Sequence, residues 1–131
     1  MPLKSKDLAI QAAKAALEKK ALDVTVLDLS GLTVIADYFV ICSGESTTQV
    51  KAVAEFIEQE FAQKRIRPLG VEGAAHSHWI LLDYGDVIIH VFEKETRAYY
   101  NLEKLWMDAK TIEIDEDKID MAGEDKRAIH P

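Results

Sequence analysis

Six consecutive residues, Val87-Ile88-Ile89-His90-Val91-Phe92, constrain the fold more than any other part of this chain. A strand with one face in water alternates apolar and polar side chains. A run that is apolar at nearly every position has to be covered on both faces. It therefore predicts a central strand with packing layers above and below. Trp79-Ile80-Leu81-Leu82 precedes it, and Asp83-Tyr84-Gly85-Asp86 between the two is hairpin chemistry, with Gly85 where positive φ is needed. Beyond the run, Arg97 is followed by Tyr99, Tyr100, Leu102, Leu105 and Trp106. So many large apolar side chains near the end of a domain either close its core or face a partner.

The other elements can be read from capping and periodicity. Ser5 is the expected N-cap of a helix over 6–20, with Asp7 in its first turn and Lys19-Lys20 in its last, as the helix dipole favours. Its face of Ala9, Ile10, Ala13, Ala16 and Leu17 is small enough to lie close on a sheet. Residues 24–29 and 37–44 read as strands, the second strongly apolar and central. Ser46-Thr47-Thr48-Gln49 matches a capping box, and Val50, Val53, Ala54, Ile57 and Phe61 then form one apolar stripe of a helix ending near Lys64. Residues 68–71 read as a short edge strand because of Pro68, and 72–77 as a loop. A short helix is expected over 101–108. The order α β β α β β β α predicts a compact α/β or α+β sandwich on a mixed sheet of about five strands. Domain organisation follows: one domain over 1–109, and a charged, mobile tail over 110–131.

Composition narrows the class of partner. A chain of 131 residues fits one domain and buries enough surface for a core without staples. Its one cysteine, Cys42, excludes an internal disulfide and fits a reducing compartment, so a cytoplasmic protein is expected. No apolar run has signal-peptide or membrane-spanning character, and no membrane partner is expected. The net charge is −7. Residues 110–131 hold seven acids and four bases, and the 16 acids and 12 bases of 1–109 leave −4 in the body. Such a body makes little direct nucleic-acid contact, because that affinity comes from neutralising phosphates. A basic protein is the better match.

The residues able to carry chemistry are few. Gly44-Glu45-Ser46 lies between a strand and a helix N-terminus, where anions bind, but no dinucleotide or phosphate-loop fingerprint is present, and a tight turn with a cap accounts for it. His76, His78, Asp83, Asp86 and His90 are the candidate metal ligands. They match no zinc pattern; Asp is common beside turns, and His90 in an apolar strand reads as a core histidine, so no metal or other cofactor is expected. Cys42 reads as a small core residue. Leu105 and Trp106 read as core. Trp79 opens its strand directly after a polar loop, and Tyr100 can point away from Tyr99. Composition leaves both core and interface roles open to Trp79 and Tyr100, rim aromatics being common interface anchors. At a rim, Trp79→Glu would leave the fold intact; in a core, it would unfold the domain.

Taken together, D-Y-F-V-I-C-S-G at 37–44, Gln49-Val50, G-V-E-G at 70–73, W-I-L-L-D-Y-G-D-V-I-I-H-V-F at 79–92, Arg97 and Y-N-L-E-K-L-W at 100–106 resemble the ribosomal silencing factor family, also called the Iojap family. The likeness covers about 8–109. It implies a nucleotidyltransferase-like α/β/α fold that has lost the enzyme's chemistry: Ser43-Gly44 stands where such enzymes carry Gly-Ser, but no paired acidic metal ligands follow. It also implies binding to a basic protein on the inter-subunit face of the large ribosomal subunit. That binding blocks joining of the small subunit and lowers translation when nutrients are scarce, and organellar relatives assist large-subunit assembly. Trp79 and Tyr100 are the implied contacts, with Leu102 and Glu103 beside them. The expectation is therefore a non-enzymatic translational repressor, able to pair as a homodimer when free if its aromatics form an exposed patch. The competing expectation is a minimal nucleotidyltransferase acting on nucleotide with magnesium through Ser43-Gly44.

Overall fold

The structure, a computed structural model, describes residues 4–112 and Ile114. Helix α1 (Ser5–Glu18) leads into β1 (Leu22–Asp28) and β2 (Tyr38–Gly44). Then come α2 (Thr47–Gln63), β3 (Gly70–Glu72), β4 (Trp79–Asp83), β5 (Val87–Glu93), α3 (Lys94–Tyr100), α4 (Leu102–Leu105) and β6 (Lys110–Ile112). The strands form one six-stranded sheet in the order β3-β4-β5-β2-β1-β6. β2 and β5 are parallel, with Val40 opposite Ile89; the other neighbouring pairs are antiparallel. The run at 87–92 is thus interior to the sheet, and every residue of its neighbour β2 is buried.

Strand parity sorts the side chains into two layers. Val87, Ile89 and Val91 of β5, Val40 and Cys42 of β2, Ile80 and Leu82 of β4 and Val26 of β1 join one core. α1 and α2 cover it, and α2 contributes the expected stripe of Val50, Val53, Ala54, Ile57 and Phe61. α1 contributes Leu8 and five alanines, which let its backbone lie close on the sheet; Ile10 and Leu17, expected on that face, are only partly buried. The opposite residues, Phe39, Ile41, Phe92 and Leu27, form a second, smaller core with Leu29 and Ala36. Here the cover is thin: half-buried Trp79 and Ile88 of the strands themselves, Leu102 of the one-turn α4, and Trp106 and Ala109 just beyond it.

The caps show where local reading succeeds. The Ser46 hydroxyl accepts from the Gln49 amide at 3.2 Å, while the Gln49 side chain accepts from the Glu45 amide at 2.7 Å, one residue earlier than a standard capping box. Ser5 is not a cap. Lys4 holds that position, and the Ser5 hydroxyl, already in the first turn, donates to Asp37 at 3.3 Å. The hairpin turns at Gly85, with φ +86, and the Asp83 carboxylate accepts the Gly85 amide at 2.8 Å.

Three expectations are corrected. The sheet has six strands, because β6 pairs with β1, Ile112 opposite Val26. The sheet therefore runs past the boundary expected at Ala109, and Ile112 and Ile114 pack against the α1/α2 core; the tail beyond lies outside the described residues. The single helix expected over 101–108 is instead α3 followed by the one-turn α4. Asn101 between them takes the left-handed conformation, φ 48, which asparagine tolerates and which breaks the helix.

Candidate protein-docking surface

The thinly covered face brings the aromatic residues together. Trp79 opens β4 on that face, opposite Phe92 of β5. Its indole stacks on Phe92, centroids 4.8 Å apart, and its N–H donates to His90 Nδ1 at 3.1 Å. Tyr100, at the end of α3, lies 5.0 Å from the Trp79 ring and is 52% exposed. Tyr99 meets Tyr100 edge-on at 5.1 Å and is 82% exposed. On the far side, Trp106 meets Phe39 edge-on at 5.9 Å. Trp79 is neither purely rim nor purely core: its inner edge packs and bonds while the residue stays half-buried.

Leu102 and Glu103, the flanking residues singled out by the sequence, do different things. Leu102 is half-buried and packs under the second core with Trp106. Two residues four apart on a helix share a face, which turns both inward. Leu105 falls off that face and is 73% exposed, which overturns its core assignment. Glu103 is held by Arg97, whose Nε donates to the carboxylate at 3.0 Å. The same guanidinium donates to the Ser43 hydroxyl and the Asp23 carbonyl, each at 2.8 Å. One partly buried fork thus ties α3 and α4 to the ends of β1 and β2.

Ser43 takes a structural role: its buried hydroxyl is the acceptor for Arg97. Beyond Gly44, the Glu45 and Gln49 amides are used by the cap at Ser46. The histidines do not converge. His76 and His78 are exposed, and His78 Nδ1 lies 2.9 Å from Glu93. Among the described residues, no three His, Cys, Asp or Glu side chains are grouped to hold a metal. Asp83 serves the hairpin turn, and the Asp86 carbonyl accepts from Asp37 and Tyr38 at 2.7 and 3.0 Å. Cys42 is fully enclosed, and burial pushes its thiol up to about 12. No helix among the described residues is long and apolar enough to cross a membrane.

His90 is 3% exposed, with Phe39 edge-on at 4.6 Å. Burial pulls its pKa from 6.5 down to about 4. The unfolded chain therefore binds the extra proton first, and stability rises with pH between the two values. His90's contribution is complete above 6.5 and is lost as pH falls toward 4. The full span is worth about 3 kcal/mol. Urea unfolding at pH 7 and 4.5 should show this loss in the wild type and a smaller one in His90→Phe; equal pH dependence in both would refute it.

Sequence reasoning missed the exposure of Tyr99, which meets Tyr100 on this face, and of Met107, 82% and 75% exposed. It also missed Leu32, Val34 and Ile35, exposed in the loop between β1 and β2. Consecutive aromatics at 99–100 were a usable signal for the first; nothing local distinguishes the others from core residues.

The arrangement defines a class: an α/β protein with a mixed sheet that is fully covered on one face and carries a half-exposed aromatic surface on the other. The chain belongs to the ribosomal silencing factor family; the family model, described as "Ribosomal silencing factor during starvation", matches residues 2–130. It is 45% identical over 104 residues to the ribosomal silencing factor RsfS of Bacillus subtilis, covering 79% of this chain and 88% of the relative. It superposes on a crystal structure of a Bacillus halodurans protein with TM-score 0.74 and 40% identity, over 83% of this chain and 99% of that one. A more distant relative is the mouse protein named mitochondrial assembly of ribosomal large subunit protein 1, 33% identical over 92 residues, covering 68% of this chain and 40% of the relative.

Proposed function

We propose that this protein is a cytoplasmic translational repressor that binds a basic protein on the inter-subunit face of the large ribosomal subunit and blocks joining of the small subunit. One observation carries the reading: Trp79 and Tyr100 stand ring to ring, 5.0 Å apart, on the thinly covered face of the sheet. Large aromatics half out of water, backed by a rigid sheet, are the usual anchors of protein interfaces. Leu102 and Glu103 flank them, one packed and one paired to Arg97, so α4 is held in place for docking. The net charge of −7 favours a basic partner. The names of the relatives, ribosomal silencing factor and mitochondrial assembly of ribosomal large subunit protein, support association with the ribosome.

The competing reading, a nucleotidyltransferase-like fold still active on nucleotide with magnesium, has to free the Ser43 hydroxyl from Arg97. It predicts a rise in melting temperature with millimolar nucleotide and magnesium, by mass action. The repressor reading predicts co-sedimentation with free large subunits and fewer joined ribosomes when the protein is in excess. Normal joining at saturating protein would overturn it. Pairing of free copies through the same aromatic patch belongs to this reading, since a second copy covers the same rings. The solution mass over a concentration series measures it, and a strict monomer at high concentration would count against pairing.

A further inference from the structure

The buried His90 is not explained by packing alone. It sits on β5 with Phe39 edge-on at 4.6 Å and the Phe92 ring nearly parallel to it, 13° apart at 6.1 Å. An apolar ring would fill this site. The imidazole instead leaves Nε2 buried with no hydrogen-bond partner among the described residues. Because Nδ1 accepts the Trp79 indole N–H at 3.1 Å, the neutral ring must carry its proton on Nε2, the unpartnered atom. A buried donor without a partner is unfavourable, so the acceptor at Nδ1 is the feature of the imidazole that an apolar ring lacks. The register makes this bond possible. Trp79 is paired with Phe92 and Leu81 with His90, so Trp79 and His90 are diagonal neighbours on the same face, within reach of long side chains.

We infer that His90 is a positioning residue for the docking surface: its Nδ1 turns the N–H edge of Trp79 inward and leaves the hydrocarbon edge of the indole with Tyr100 for the partner. The inference rests on the reading of Trp79 as a docking residue. Without the acceptor, the indole N–H would seek water, and the ring would turn a polar edge outward. The partner would then meet a differently shaped and more polar surface. An interface anchor works because its rotamer is set before the partner arrives, and holding a ring in its bound orientation lowers the cost of association.

The test compares His90→Phe, which fills the space without an acceptor, with His90→Asn, whose side-chain oxygen can lie near the position of Nδ1. The chain has two tryptophans, so two indole N–H signals are expected by NMR, and Trp79→Phe assigns that of Trp79. In the wild type this proton should exchange slowly with solvent. In His90→Phe it should exchange fast while the melting temperature holds, and affinity for free large subunits should fall about tenfold. His90→Asn should restore slow exchange and part of the affinity. Slow exchange or full affinity in His90→Phe would overturn the inference, as would equal losses in both variants. If the wild type does not bind large subunits, the functional reading fails, and the exchange measurement alone then decides whether His90 orients Trp79.

Discussion

Trp79→Glu is expected to weaken binding to the large ribosomal subunit by more than about 30-fold and to lower the stability of the free protein by roughly 2–3 kcal/mol. The two losses have separate causes. In the complex, truncating an anchoring tryptophan removes about 2–4 kcal/mol of binding, and a carboxylate pressed into the interface adds the cost of a buried charge. In the free protein, the indole stacks on Phe92 and bonds to His90. Its removal costs less than the ~3–5 kcal/mol of a fully buried tryptophan, because Trp79 is only half-buried, but it also strips the His90 acceptor of its donor. A rim position alone would have left stability unchanged, so the structure revises that expectation. Tyr100→Ala separates the effects. Tyr100 is 52% exposed, so its loss should change stability by less than about 1 kcal/mol while still weakening binding. Urea melts and co-sedimentation at fixed salt measure both quantities. Undiminished binding by both folded variants would place the docking surface elsewhere.

Gly73→Ala should destabilise the protein by about 2–4 kcal/mol, a large effect for one methyl group on an exposed loop. Gly73 has φ +87, and an added Cβ would lie 2.0 Å from the Trp79 carbonyl oxygen. The obstacle is backbone, so no rotamer change relieves it. The loop has little slack: the Ser77 amide donates to the Gly73 carbonyl at 2.9 Å, and the Ser77 hydroxyl to Ala74 at 3.0 Å. The start of β4 must move instead, and Trp79 with it. The variant should therefore lose both denaturation midpoint and affinity for large subunits, and a wild-type midpoint would refute the steric account.

The architecture was largely legible. The run at 87–92, the stripe from Val50 to Phe61 and the cap at Ser46 each carry their own physical signal in neighbouring residues, and each appears as read. The candidate docking surface was legible in part: Trp79 and Tyr100 stood out as aromatics at an element's edge, and the structure brings their rings within 5.0 Å of each other. Leu105 was misplaced because a single helical turn offers too few residues for its inward face to be read. β6 was missed because three residues, Lys110-Thr111-Ile112, carry no strand pattern apart from the β1 edge they complete.

Alternation along β5 is a local property. It put His90 and Phe92 on one face and Ile89 and Val91 on the other before any partner strand was known. What only the tertiary structure decided is what stands over each face. Two long helices seal one, whereas two short ones leave the other open around Trp79 and Tyr100. Arg97 finds Ser43, 54 residues away, and Thr25, 72 residues away. Trp79 finds His90 only because the two strands pair in one register and not the next. Helical stripes, strand alternation and caps depend on residues a few positions apart, so the chain writes them locally. The partners of a buried polar group are set by which strands become neighbours, and that is fixed only when the whole core closes.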